Sequence, residues 1–260
     1  MLVPAPFTRV IFEDVFWKPR LCVNEKVTLP YVIRRCQETG RIDNFVKAAG
    51  GMEGPHEGLH FNDSDLFKTI EGAAYSLAVR FDAALDNYLD ELIDKINGAQ
   101  EHDGYIYTLR TIHDDAIPIE ILPYAGVLRW SNLYFSHELY NVGHLYEAAV
   151  AHHQATGKRT LLEIATRSAD LINEVFGPDA IHDVPGHEEI EIGLVKLFHV
   201  TKEQKYLDLA EFFLQQRGHI EARPESEGIS TVPSKETLYD DPSYRQDHVP
   251  VVDQRSAIGH

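Results

Sequence analysis

The feature that most constrains the fold is a helical pattern that recurs at a fixed spacing. Segment 160–165 (TLLEIA) matches segment 205–210 (KYLDLA) at a shift of 45 residues, and the residues before them, 155–158 and 200–203, match at the same shift. Two helices in each repeat of this size are typical of an α/α toroid or an α-solenoid. The chain is therefore predicted to be all-α and built from stacked helical hairpins.

A Gly-His pair recurs within this pattern, at Gly143-His144, Gly186-His187 and Gly259-His260. Repeated units that close on a common axis place equivalent residues around one centre. Imidazoles at that centre would line a polar pocket, because a neutral imidazole both donates to and accepts from a sugar hydroxyl. The pairs favour a toroid over a solenoid, although each histidine could instead satisfy only a neighbouring backbone group.

Three of the histidines are candidate ligand-binding residues by their position in predicted helices. His144 and His187 are predicted at helix starts, where free N–H groups and the positive end of the dipole favour hydroxyl-rich or anionic ligands. His137 precedes His144 by seven residues, or about two turns, and could share its face. Trp130, Tyr134 and Tyr140 could stack on a sugar ring, although core packing is the commoner role of such residues.

The predicted organisation is an extended N-terminal arm, residues 1–20, and one domain, residues 21–260. Pro19 is expected to break a helix, and Gly40 to end one. The predicted helices are 21–39, one capped by Asp63 or Ser64, 84–100, 144–156, 160–176, 188–200 and 204–216. Short strands are expected in the loops, the clearest being 105–109, because it is aromatic and β-branched. Residues 219–250 are predicted to form a long polar loop.

Composition excludes several classes of partner. The net charge of −17 comes from 41 acidic and 24 basic residues, and it opposes binding to nucleic acid or to an anionic membrane. No apolar stretch is long enough to span a bilayer, and the N-terminus lacks the pattern of a signal peptide. Cys22 and Cys36 are too few for a disulfide framework and are expected to be buried thiols. A cytoplasmic location is the resulting expectation.

Metal ligands and catalytic acids are not clearly marked. No metal site built wholly within this chain is expected, because a CxxC motif is absent and His152 and His153 would face different sides of a helix. Asp65 follows a glycine-rich loop, where it could bind a ligand or only favour the helix dipole. Glycoside hydrolysis requires two groups flanking the scissile bond, but the chain has too many acids for spacing to select a pair.

Several motifs together resemble glycoside hydrolase family 127, the β-L-arabinofuranosidase family. They are Phe61-Asn62-Asp63-Ser64-Asp65-Leu66-Phe67-Lys68 followed by 70–75 (IEGAAY), Ala99-Gln100, Asp103-Gly104-Tyr105, His137-Glu138-Leu139-Tyr140 before Gly143-His144, Pro185-Gly186-His187 before Glu189-Ile190-Glu191, and 244–251 (YRQDHVPV) before Gly259-His260. The resemblance covers nearly the whole chain in the family's order.

The resemblance implies an (α/α)6 barrel whose enzymes release β-L-arabinofuranose from plant glycans by a retaining route. It implies a cysteine nucleophile held on zinc by cysteines and a glutamate, another glutamate as acid/base, and barrel histidines that bind the sugar hydroxyls. By motif match those histidines are His144, His187 and His260, with His137 a less certain neighbour and Asp65 a further candidate.

The family's reacting groups lie after the region matched here, and Cys22 and Cys36 match none of its catalytic cysteines. The chain is therefore interpreted as the N-terminal, sugar-binding part of such an enzyme, incomplete at the C-terminus of the barrel and holding no cofactor itself. We expect little or no activity from it alone. Uncovered helix faces would favour a homo-oligomer or a complementing C-terminal polypeptide. The alternatives are a non-catalytic carbohydrate-binding or scaffold protein, and an α/α-barrel epimerase or lyase with histidine bases.

Overall fold

The computed structural model describes residues 5–113 and 116–217, and the chain is helical within those ranges. The helices are Trp17–Val23 (α1), Leu29–Glu38 (α2), Arg41–Ala48 (α3), Asp63–Val79 (α4), Ala83–Ala99 (α5), Thr108–His113 (α6), Leu122–Ala125 (α7), Leu133–Ser136 (α8), Glu138–Thr156 (α9), Thr160–Val175 (α10), Ile190–Thr201 (α11) and Gln204–Gln216 (α12). A π-helical turn, Asn24–Thr28, joins α1 to α2. Among the described helices, none combines the length and hydropathy that crossing a bilayer requires.

The helices form two layers. The inner helices α2, α4, α9 and α11 pack side by side in that order, and α3, α5, α10 and α12 pack behind them. Each inner helix is followed in sequence by its outer helix, so the layers are built from successive helical hairpins. This confirms the all-α architecture of stacked helical hairpins that the 45-residue repeat predicts, in the α/α-toroid form that the Gly-His pairs favour.

The inner helix α9 is buried on nearly every side. Its apolar residues Leu139, Val142 and Leu145 are at most 2% exposed, and most of its polar residues are buried too. A helix that is buried all round loses the one-sided apolar stripe that marks its ends in the sequence. The predicted start at His144 is wrong for this reason: α9 begins at Glu138, and His144 lies in its interior.

Glycines allow α9 and α11 to approach each other closely. A Cβ atom on Gly143 would lie 2.9 Å from the Cα and N atoms of Ile190, and one on Gly193 would lie 2.7 Å from the carbonyl oxygen of Gly143. Such separations are shorter than van der Waals contact. Gly143 is therefore a helix-packing residue, and the first Gly-His pair does not open a helix.

The N-terminal region differs from the predicted extended arm. Helix α1 begins at Trp17, so the end of the arm is helical, and residues Phe7–Arg9 form a short 3-10 turn. Pro19 does not break α1 because it lies in the first turn, where the missing N–H needs no partner. The thiol of Cys22 is exposed rather than buried, whereas Cys36 is buried as predicted, and neither cysteine forms a disulfide.

The predicted strand at 105–109 is also wrong. Thr108 begins α6, and no described residue belongs to a β-ladder, the one bridge being Phe176 with Ile181. Hydrogen bonds to side chains, and not to a neighbouring strand, hold this segment in position. The Tyr105 hydroxyl donates to Glu138 Oε1 (2.6 Å), and the Thr108 N–H and hydroxyl donate to Asp63 (2.8 and 2.6 Å). Asp63 therefore links two segments through buried hydrogen bonds and is not the predicted helix cap.

Candidate functional site

Three histidines meet at the N-terminal ends of the inner helices. His60 lies just before α4, His137 just before α9 and His187 just before α11. The ring centroids of His60 and His137 are 5.2 Å apart, and those of His137 and His187 are 5.1 Å apart. We call these three residues the imidazole cluster. Because the inner helices start at the same face of the protein, their positive dipole ends point towards the cluster.

Aromatic rings border the imidazole cluster. The Phe61 ring centroid lies 5.1 Å from that of His137, and the Tyr140 ring lies 5.4 Å from His137 and 5.5 Å from His187. Tyr140 also accepts a short hydrogen bond from Lys68 Nζ. The cluster thus combines ring faces with hydrogen-bonding groups, which suits a ligand that has both C–H faces and hydroxyls.

His137 has an unusual backbone conformation. Its φ of 59° and ψ of 20° place it in the left-handed region, which is uncommon for residues with a Cβ and often occurs at functional sites. Its Nδ1 lies 2.6 Å from the carbonyl oxygen of Phe135. Since a carbonyl can only accept, Nδ1 carries the hydrogen in this contact. The strained turn and this hydrogen bond together fix the ring beside His187.

Burial lowers the pKa of His60, so its ring is neutral at pH 7. A neutral imidazole keeps one donor and one acceptor, which matches the dual character of a hydroxyl group. His60 was missed as a candidate in the sequence. The signal that could have identified it is its position shortly before an inner helix, which His137 and His187 share.

His144 lies behind the imidazole cluster. It is only 7% exposed, and the Tyr140 ring stands between it and His187, with its centroid 4.7 Å from that of His144. His144 Nδ1 is 2.9 Å from Glu189 Oε1 and 3.6 Å from Glu147 Oε2. Burial alone would lower the pKa of His144, but these two carboxylates raise it. His144 is therefore placed to support the site from beneath.

The same group of His144, Glu147 and Glu189 has a ligand set that could hold a metal ion, with its ligand atoms within 4.8 Å of one another. The expectation of no metal site did not anticipate this group. However, the Lys196 ammonium contacts Glu147 and already supplies positive charge there. Although burial favours the neutral acid, hydrogen bonds from His144 and Lys196 lower the pKa of Glu147 to about 2, whereas burial raises the pKa of Glu189.

Residues 56–60 (HEGLH) have the HExxH spacing of zinc enzymes, which the expectation of no metal site overlooked. That motif binds zinc when a helix presents both histidines on one face. Here the segment is a loop, and Gly58 has a φ of 86°. Glu57 is hydrogen-bonded to Lys47 Nζ (2.6 Å). The segment therefore lacks the geometry of a zinc-binding helix.

His56 should make the protein sensitive to acid. Burial, with the positive field of His113 and Lys47, lowers its pKa from 6.5 to about 4. Between those values the unfolded chain binds more protons, so the free energy of unfolding falls as pH drops. We expect His56→Gln to remove about 1–2 kcal/mol of the stability difference between pH 7 and pH 5.

Urea unfolding at both pH values measures the effect of His56→Gln. The matched control is His102→Gln, at an exposed position, which should keep the wild-type difference. An unchanged pH dependence in the His56 variant would show that another group causes the acid sensitivity.

The other described candidates from the sequence make contacts outside the imidazole cluster. Asp65 is in the first turn of α4, but its carboxylate pairs with Arg41 Nε at 2.8 Å. Trp130 is 9% exposed and packs edge-on against Tyr105 and Phe176, so it belongs to the core. His260 and the motif at 244–251 lie outside the described residues, so their predicted roles stay predictions.

A scaffold of successive helical hairpins, with histidines at one end of its inner helices, defines an α/α-barrel protein with a candidate ligand site. The chain belongs to glycoside hydrolase family 127, because residues 9–260 match the family model described as "Beta-L-arabinofuranosidase, GH127 catalytic domain".

Individual relatives agree with this assignment. The chain is 36% identical over 225 residues to a non-reducing end β-L-arabinofuranosidase of Bifidobacterium longum subsp. longum, an alignment that covers 84% of this chain and 33% of the relative. A solved GH127 β-arabinofuranosidase superposes with a TM-score of 0.82 at 43% identity, covering 99% of this chain and 38% of that one. A GH127 β-L-arabinofuranosidase of Geobacillus stearothermophilus T6 gives 0.82 at 37% identity, covering 97% and 40%. The chain thus spans about a third of the length of the curated relative it matches.

Proposed function

We propose that this chain supplies the sugar-binding wall of a β-L-arabinofuranosidase-type glycoside hydrolase that acts on plant-derived arabinose glycans. The observation that carries the proposal is the imidazole cluster, in which His137 and His187 stand 5.1 Å apart beside Tyr140. Each imidazole can pair with a sugar hydroxyl, and the neighbouring rings suit the C–H face of a sugar. The names of the relatives support the choice of an L-arabinofuranoside.

Within this wall, His137 and His187 contact the sugar and His144 acts behind them. The resemblance favours His144 over His137 as a sugar-binding residue. The burial of His144 and its contact with Glu189 favour His137 instead. His144 and Glu189 would fix the start of α11 against α9, and so fix the position of His187. Asp65 and His260 stay in the proposal as further ligand-binding candidates on the strength of the motif match.

The zinc-held cysteine implied by the resemblance does not fit the described cysteines. Cys22 is exposed on α1, and the thiol of buried Cys36 lies 3.6 Å from the Thr69 hydroxyl. The described group of potential metal ligands contains no cysteine. The tasks assigned to this chain are therefore the binding and orienting of the sugar.

The test is binding of methyl β-L-arabinofuranoside to the purified chain, measured by isothermal titration calorimetry. We expect His187→Ala to weaken binding about tenfold, because it removes a hydrogen bond worth about 1–1.5 kcal/mol. The matched control is His182→Ala, an exposed histidine of the same loop, which should leave the affinity unchanged. Circular dichroism checks that both variants are folded. Equal affinities for His187→Ala and wild type would contradict the proposal.

A non-catalytic carbohydrate-binding protein is the second candidate, favoured because the described group of potential metal ligands contains no cysteine. An aryl β-L-arabinofuranoside, supplied with zinc and thiol, separates the two. Turnover that survives replacement of both cysteines by serine would exclude a role for Cys22 and Cys36. Saturable binding without turnover would favour the second candidate for this chain.

A further inference from the structure

We propose that Arg217 is a positioning residue for sugar binding, because it fixes the segment that carries His187. The guanidinium acts through the backbone and the carboxylates of this segment, and it does not itself contact the sugar. The inference rests on the proposed function and deepens it, because it names a residue outside the imidazole cluster on which the affinity for the sugar depends.

The Arg217 side chain contacts residues on both sides of His187. It is fully buried at the end of α12. Its Nη1 donates to the carbonyl oxygen of Pro185 (2.9 Å), and its Nη2 donates to Glu191 Oε1 (3.2 Å). Its Nε lies 3.6 Å from Glu188 Oε1. Because these contacts lie before and after His187, one guanidinium holds the segment at both ends.

The burial of this guanidinium makes its contacts costly to lose. The Glu191 side chain is 5% exposed, and burial raises its pKa although the Arg217 guanidinium opposes that rise. A buried carboxylate that loses its partner has neither water nor a counter-charge. The planar fork of arginine reaches a carbonyl and a carboxylate together, whereas lysine presents a single ammonium group. The shape of the Arg217 side chain, and not its charge alone, therefore fixes the segment.

A second buried arginine has the same relation to His137. Arg110 Nε lies 3.8 Å from the carboxylate of Glu138, the residue directly after His137, and both side chains are 1% exposed. The segments before α9 and α11 are also joined directly, because the Gly186 N–H donates to the carbonyl oxygen of Leu133 (3.3 Å). Each of the two sugar-contacting histidines therefore lies beside a buried pair of an arginine and a carboxylate.

The two histidines can bind one sugar only while their separation is kept. The ring centroids of His137 and His187 are 5.1 Å apart. Hydrogen-bonding groups that are fixed before binding lose less conformational entropy when the ligand binds. A displaced ring would make a longer or bent hydrogen bond to the sugar hydroxyl, and such bonds are weaker. Loss of the Arg217 contacts should therefore lower the affinity through His187.

The experiment measures binding of methyl β-L-arabinofuranoside to the full chain by calorimetry, with and without His187. Arg217→Lys keeps the positive charge but not the planar fork, and we expect it to weaken binding about threefold to tenfold. In a His187→Ala background it should change the affinity by less than about twofold, because the group that it positions is absent. A merely structural residue would weaken binding alike in both backgrounds. The matched control is Arg159→Lys, at an exposed arginine that pairs with Glu163 at 3.8 Å, which should bind as wild type.

A second measurement needs no sugar. The ring nitrogen signals of His187 are assigned in a proton–nitrogen correlation NMR spectrum by their loss in His187→Ala. These signals should shift in Arg217→Lys and stay unchanged in Arg159→Lys. Glu191→Gln removes the charge of the carboxylate and keeps its shape, so it should shift the same signals and weaken binding in the same direction. It replaces Arg217→Lys in both measurements if that variant does not fold.

Two outcomes would overturn the role of Arg217 while leaving the proposed function intact. One is wild-type affinity in an Arg217→Lys variant that is folded by circular dichroism. The other is an equal loss of affinity in the presence and in the absence of His187. By contrast, failure of the wild-type chain to bind the monosaccharide would contradict the proposed function itself. Unchanged His187 ring signals in Arg217→Lys would then overturn the role of Arg217 as well.

Discussion

Glu138→Ala is expected to lower the free energy of unfolding by about 3–5 kcal/mol, the effect of breaking a buried ion pair. Glu138 is 1% exposed and accepts hydrogen bonds from the Tyr105 hydroxyl (2.6 Å) and the Ser136 hydroxyl (2.9 Å). Arg110 Nε lies 3.8 Å from the same carboxylate. Alanine would remove this carboxylate from the buried guanidinium and leave buried donors without their acceptor. Urea unfolding followed by circular dichroism at 222 nm measures the loss.

The matched control for Glu138→Ala is Glu163→Ala. Glu163 is exposed on α10, where it pairs with Arg159 at 3.8 Å. Exposed pairs contribute about 0–1 kcal/mol, so this variant should lie close to wild type. If both alanine variants unfold at the same urea concentration, the ion pair inside the protein does not stabilise the fold as argued.

The same substitution at two glycines should have opposite effects. At Gly143, a Cβ atom would lie 2.9 Å from backbone atoms of Ile190, so Gly143→Ala forces α9 and α11 apart. At Gly72, within α4, a Cβ atom would have no neighbour within 4 Å. Alanine gains up to about 1 kcal/mol over glycine inside a helix, but overpacking costs about 1–3 kcal/mol. We expect Gly72→Ala to be stabilising and Gly143→Ala destabilising.

Thermal and urea unfolding of both glycine variants, measured side by side, provide the test. Gly143→Ala should also weaken binding of methyl β-L-arabinofuranoside, because displacement of α11 moves Glu189 and His187. A Gly143→Ala variant as stable as Gly72→Ala would contradict the close approach of the two inner helices.

The outer helices could be predicted well from the sequence. The predicted helix 204–216 matches α12, and the predicted helices 84–100 and 160–176 match α5 and α10 to within one residue at each end. An outer helix buries one face and exposes the other, so apolar residues recur at helical spacing. The inner helix α9 shows no such contrast, and for that reason its first six residues were not predicted as helix.

The candidate site was predicted only in part. The sequence indicates His187 and His137, but their contact joins positions 50 residues apart and depends on the packing of α9 against α11. His60 was missed because it lies in a glycine-rich loop, where no periodic pattern indicates its direction. The Gly143-His144 pair predicts a helix start at His144, whereas Gly143 lies inside α9 and serves a close helix contact.

All members of the imidazole cluster lie in connecting segments, and none lies within an inner helix. The helix contacts that keep the domain folded are therefore separate from the side chains that would choose a ligand. Substitutions at the three cluster positions themselves can therefore change preference among glycans without removing a contact between inner helices. Because these two sets of residues are separate, ligand specificity can change through the connecting segments while the helical scaffold stays the same.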